Sequence, residues 1–118
     1  MSIAQAEKFL THLQDGDALS AAGLLHEDAV WVQPGSTKVS GEHQGKAAVV
    51  TLLASFAQVG VSIELTEVYR CNDDVLSRIV VSHENGTRHE FQLIEMEGDL
   101  VRCVRHFGDT EYLTEIFA

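Results

Sequence analysis

The chain has 118 residues, 45% of them hydrophobic, and its 18 acidic against 8 basic side chains give a net charge of −10. That length suits one domain with a real core. The negative surplus argues against nucleic acid and anionic membranes as partners, since both require clustered Lys and Arg.

In chain order, Ile3, Ala6, Phe9, Leu10 and Leu13 fall at helical spacing over residues 3–14, and Asp15-Gly16-Asp17 breaks the pattern. Asp17 is a good N-cap for a second short helix whose apolar residues include Leu19, Ala22, Leu24 and Leu25. The strand predicted at 29–33 ends at Pro34-Gly35, the chain's only proline. Residues 34–45, rich in Gly, Ser and polar groups, read as a loop. A third helix over 46–58 has a broad apolar face from Val49, Val50, Leu52, Leu53 and Phe56. Strands follow at 61–70, 75–84, 87–96 and 100–107, separated by Asn72-Asp73-Asp74, Asn85-Gly86 and Glu97-Gly98-Asp99. Residues 108–118 read as a short closing helix or tail. There is no repeat, low-complexity segment or linker, so residues 1–118 form one domain.

Helices first and a meander afterwards specify an α+β fold: three N-terminal helices packed on a curved, mostly antiparallel sheet. A strongly curved sheet closing over helices leaves a cone with an apolar interior, a common form of ligand pocket. The two cysteines, Cys71 and Cys103, make no disulfide framework. No basic stretch precedes an apolar run at the N-terminus, and no apolar run approaches the roughly 20 residues needed to span a bilayer. The expectation is a reduced, cytoplasmic domain.

The succession of "DAVWVQPG", "SGEHQGKAAV", "NG", "EGDLVRC" and "FGDTEYL" resembles the NTF2-like superfamily along essentially the whole chain, in its SnoaL-like and ketosteroid-isomerase-like branch. The resemblance implies a cone-shaped pocket for a hydrophobic small molecule, no cofactor, and a homodimer through the outer sheet face. It is specific for fold and poor for function, because this fold hosts many chemistries. In the isomerases an aspartate before the strand-ending proline is the general base; that place holds Gln33, which cannot accept a proton near neutral pH. The matching position for their oxyanion-hole tyrosine is Phe9, which has no donor. Their protonated aspartate falls on Glu90, the one acid that survives. Steroid isomerisation by that mechanism is not expected.

If Asn85-Gly86 and Glu97-Gly98 are two-residue turns, Ile79, Val81, Glu90, Gln92, Cys103, Arg105 and Phe107 share one sheet face, with Glu90 opposite Arg105. The resemblance turns this face to the pocket; a one-residue change in either turn reverses it. The opposite face then holds Arg78, His89, Glu95, Arg102 and His106. Glu90 with Arg105 reads as an Arg-braced carboxylate that positions water or polarises a carbonyl or epoxide, or as a structural cross-strand pair. Asp109 matches the general base of SnoaL-like cyclases, and equally suits capping of the residues after it. Trp31, Gln33, Phe56, Phe9, Gln92, Cys103 and Phe107 would line the pocket; Trp31 and Phe56 also read as core.

Among the histidines, no pair has the i, i+4 spacing of a metalloprotease motif. His89 and His106 would be cross-strand neighbours without a third ligand, so no metal site is expected. His43 reads as a solvated loop residue or a substrate hydrogen bond. The glycines before Lys46 lack phosphate-loop spacing. Two functions stay open. One is a small-molecule enzyme of isomerase, cyclase or hydrolase type using Asp109, Glu90 and Arg105. The other is a non-catalytic binding or dimerisation module.

Overall fold

The structure, a computed structural model, describes residues 2–84 and 86–117. Helix α1 (Ser2–Gln14) and the short α2 (Ala18–Ala22) lead into β1 (Leu25–Gln33), β2 (Gly41–Gln44) and α3 (Lys46–Gln58). Four long strands follow, β3 (Ser62–Cys71), β4 (Asp74–His83), β5 (Gly86–Glu97) and β6 (Leu100–Phe107), and a single turn of helix, α4 (Leu113–Ile116), closes the chain. Among the described residues no helix is long and apolar enough to cross a membrane.

Local chemistry sets the helix ends. Ala6, Phe9, Leu10 and Leu13 are buried at i, i+3, i+4 and i+7, which makes α1 one-sided. It stops in a left-handed Gly16 (φ +69°), where Gly16 N–H donates to Leu13 O and Asp17 N–H to His12 O. Asp17 then caps α2, its two carboxylate oxygens accepting from the Ser20 N–H (3.0 Å) and hydroxyl (2.6 Å).

The strands form one six-stranded sheet in the order β2-β1-β6-β5-β4-β3. Every pairing is antiparallel except β1 with β6. Helix α1 lies against β3 to β6 and α3 against β1 and β2, so the two helices fill the sheet's concave side. Phe9, Leu10, Trp31, Val49, Val75, Ile79, Ile94, Val101, Val104 and Leu113 are all 0–1% exposed between these layers. Full burial of each such aliphatic or Phe side chain contributes about 1.5–3 kcal/mol. The expected α+β cone is the architecture observed.

Three expectations are corrected. The 34–45 segment is not all loop: Gly41–Gln44 pairs with Val30–Gln33 as an edge strand, whose polar sequence carries no alternating apolar signal. Strand β1 begins at Leu25, before the expected residue 29, and shifts register against β6 between Leu25 and Val30. The third concerns the turns. Asn85 lies outside the described residues, but His83 pairs with Gly86, moving the β4–β5 register by two residues and preserving its faces.

The β5–β6 turn is also displaced, with Glu97 opposite Leu100, and that shift alone is again even. A bulge then places Glu95 opposite Cys103 but Met96 opposite Val101, leaving Arg102 as an extra residue in β6. The extra residue reverses the faces of β6 beyond it. His106 and Val104 turn inward, while Cys103, Arg105 and Phe107 turn outward.

Candidate functional site

Strand β5 alternates, and its inner face carries Arg88, Glu90, Gln92 and Ile94 in sequence. Such polar side chains over a core are costly unless hydrogen-bonded. Glu90 is 1% exposed and Gln92 0%. His106 reaches both of them from β6: its Nε2 lies 2.7 Å from Glu90 Oε1, and its Nδ1 lies 3.2 Å from Gln92 Nε2. With the amide donating to Nδ1, the imidazole is the Nε2–H tautomer and donates to the carboxylate. Trp31 of β1 stacks on the His106 ring, centroids 6.4 Å apart, and donates its indole N–H to Gln33 Oε1 at 2.9 Å.

The rest of the frame comes from the chain's end. Gly108 lies so close to Glu90 that a Cβ there would stand 2.7 Å from Glu90 Cγ. Pro34 O accepts the Thr110 hydroxyl at 2.8 Å and the Ser40 hydroxyl at 3.0 Å, fastening the tail to the end of β1. Tyr112 follows, half-buried, with the Arg88 guanidinium 3.9 Å from its ring centre. Burial first, and then the negative charge of Glu90, push the Tyr112 phenol above the ordinary tyrosine range. Phe117 meets Phe56 of α3 edge-on at 5.8 Å.

These groups surround a small cavity. Buried Trp31, Gln33, Val81, Gln92 and His106 form its floor, and part-exposed Phe56, Val61, Ile63 and Tyr112 its mouth. Its volume is small, about 20 Å³. Three buried polar atoms on the β5 inner face have no hydrogen-bond partner among the described residues: Arg88 Nη1, Glu90 Oε2 and Gln92 Oε1.

Of the residues singled out from sequence, Trp31, Gln33, Phe56 and Gln92 meet at this cavity, and Glu90 stands behind it on His106. Phe9 is sealed in the core at 0% exposure and does not line the cavity. The expected pairing of Glu90 with Arg105 is not formed. Arg105 is opposite Leu93 on the outer face and binds Glu95, its Nε 3.2 Å from Oε2. Phe107, half-exposed, pairs with Phe91 out there, and Cys103 is opposite Glu95, its thiol pushed up chiefly by burial. Asp109 is exposed, and its Oδ1 accepts the Glu111 N–H at 3.1 Å, a local turn-capping contact.

His89 and His106 are on opposite faces rather than adjacent, and among the described residues no three His, Cys, Asp or Glu side chains converge on a metal position. His43 Nε2 is held by Val39 O at 2.7 Å. Sequence reasoning missed His106, Tyr112, Arg88 and Gly108 as site residues. The one trace of the inward His106 is the three-residue spacing of Val101 and Val104, which breaks the period of two at Arg102.

A family model described as a SnoaL-like domain matches residues 6–107. No curated protein matches the chain. Among solved structures, a protein of unknown function with a cystatin-like fold from Xanthomonas campestris superposes with a TM-score of 0.88 at 25% identity, covering 99% of this chain and 98% of that one. An NTF2-like protein of unknown function from Cytophaga hutchinsonii gives 0.80 at 13% identity, covering 96% and 94%. TerC, co-crystallised with polyporic acid, gives 0.79 at 21% identity, covering 98% and 97%. The last two likenesses carry the fold alone.

Proposed function

The chain belongs to the SnoaL-like domain family, and from that premise we propose that it binds an apolar small molecule and moves a proton on it with His106, braced by Glu90. The observation that carries this reading is the 2.7 Å contact between two side chains that are 8% and 1% exposed, set beside an otherwise apolar cavity. Glu90 fixes the imidazole tautomer and offsets the positive charge when Nδ1 takes a proton, the role a carboxylate plays behind a catalytic histidine. A substrate reaches Nδ1 by displacing the Gln92 amide. Trp31 holds the ring plane by stacking. Gln33, bound to the indole, supports that wall instead of abstracting a proton. The base role expected of Asp109 passes to His106, and so does the bracing of Glu90 expected of Arg105, because both of those side chains face solvent. A structure of the same fold crystallised with the small molecule polyporic acid supports use of the cone as a pocket.

The second reading, a passive binding module, is favoured by the size of the cavity and by Nδ1 already having a partner. Deuterium exchange separates the two. Hydrophobic ketones incubated in heavy water should exchange α-hydrogens faster with the protein than in buffer. His106→Gln should lower that rate by roughly 10²–10⁴, the usual contribution of a positioned acid/base. Exchange no faster than buffer for every ketone would leave the passive reading, and accelerated exchange undiminished in His106→Gln would take the proton transfer away from His106.

We also infer a homodimer through the outer sheet face. Phe91 and Phe107 lie directly opposite each other there, 39% and 50% exposed, beside the paired Arg105 and Glu95.

A further inference from the structure

A buried acceptor without a donor is destabilising, and a site retains one where something supplies the donor. Gln92 is fully buried, lines the cavity, and keeps Oε1 unpartnered while its Nε2 is spent on His106. Glu90 Oε2, on the other side of the same imidazole, is a second buried acceptor without a donor. Both atoms want a hydroxyl or an N–H; a bare carbonyl or ether brings nothing to them.

The apolar end of the ligand is marked by a second cleft. It lies between α1, α2 and α3, lined by His12, Leu13, Asp17, Ala18, Leu53 and Ala57, and it shares Phe56, Val61 and Ile63 with the first. Phe56 is therefore the partition between the two, and it is only part-buried.

We propose that the ligand is an elongated apolar molecule headed by a hydroxyl, of the alkylphenol type. The hydroxyl donates to Gln92 Oε1 beside His106, and the tail passes Phe56 into the cleft between α1, α2 and α3. This rests on the pocket reading above and requires no turnover, so binding and proton transfer fail separately.

Calorimetric titration of p-hexylphenol against its methyl ether, p-hexylanisole, is the test. Wild type should bind the phenol at least about 10-fold more tightly, the value of one donor to a buried acceptor. Gln92→Met keeps the unbranched shape and should abolish the preference. Ala57→Phe, at an exposed rim position, should weaken p-hexylphenol and leave p-cresol unchanged. Should Gln92→Met not fold, the Gln92 side-chain amide resonances of the wild type serve instead; they should shift with the phenol and not with the ether. An ether bound as tightly as the phenol, a preference that survives Gln92→Met, or no binding of either probe overturns the proposal. Each of those results leaves the deuterium-exchange test of His106 standing.

Discussion

Gly108 has no room for a side chain. A methyl group there would press on Glu90 at 2.7 Å from Cγ and 3.1 Å from Cδ, and the carboxylate is locked by His106 on its other side. Gly108→Ala should therefore cost about 1–3 kcal/mol, the usual price of overpacking, seen as a lower urea midpoint at unchanged slope. Tyr112 gives a pH signature. Its phenol is raised above the ordinary value of 10.0 in the folded state, so the unfolded chain loses that proton first as pH rises. The contribution is intact below pH 10 and declines above it, and Tyr112→Phe should flatten the alkaline loss of stability. An equally steep loss in the variant would show that other groups carry it. Residue identity told much here: Gln33 and Phe9 were legible as losses of a base and a donor, and Glu90 as the surviving acid. The partner of that acid was not, because His106 and Arg105 are chemically plausible neighbours one residue apart.

At the scale of the element, that choice was made by the extra residue at Arg102 in β6. Periodicity assigns a strand's two faces only relative to each other. Turn position and bulges decide which face is inward, and here two even shifts left the reading unchanged while one bulge inverted it. Arg102 reaches across to the carbonyl of Asp28 on β1, so the bulge has a tertiary partner. Deleting Arg102 closes the bulge without moving the pairs beyond it: Cys103 stays opposite Glu95, Val104 opposite Ile94 and His106 opposite Gln92. The variant should therefore keep a cooperative thermal transition and lose only the contact with the Asp28 carbonyl, about 1–3 kcal/mol. Loss of the cooperative transition would mean that the sheet needs the bulge itself and not only the facing it sets. Helices α1 and α3 and the four long strands were legible because their apolar periodicity is strong. Strand β2 was not, since Gly41–Gln44 owes its conformation to hydrogen bonds with β1 rather than to its own side chains.

For the whole molecule, β2 and β3 form the sheet's two edges and the helices cover only its concave side. The convex face, with Phe91 and Phe107, is where a second copy would bind. Sedimentation or light scattering should give twice the chain mass for wild type and the single chain mass for Phe107→Glu, which adds like charges across the contact. A monomeric wild type would remove the dimer from the reading. The tail is a separate matter: Thr110 fastens it to Pro34, Tyr112 forms part of the mouth, and Phe117 packs on Phe56, another mouth residue. The mouth is therefore shared between α3, the start of β3 and the last turn of the chain.

The sequence by itself determined the fold class and the order of the helices and long strands, because apolar period and turn residues are local quantities. Its resemblance to the isomerases set Gln33 and Phe9 at the positions of their base and tyrosine. Tertiary structure alone decided that Glu90 faces His106 instead of Arg105, that Gln92 binds the same imidazole, and that Asp109 stays at the surface. The physical reason is the bulge: one extra residue in β6 leaves composition and almost all of the pattern unchanged. It nevertheless exchanges the β6 side chains beyond it between the two faces of the sheet.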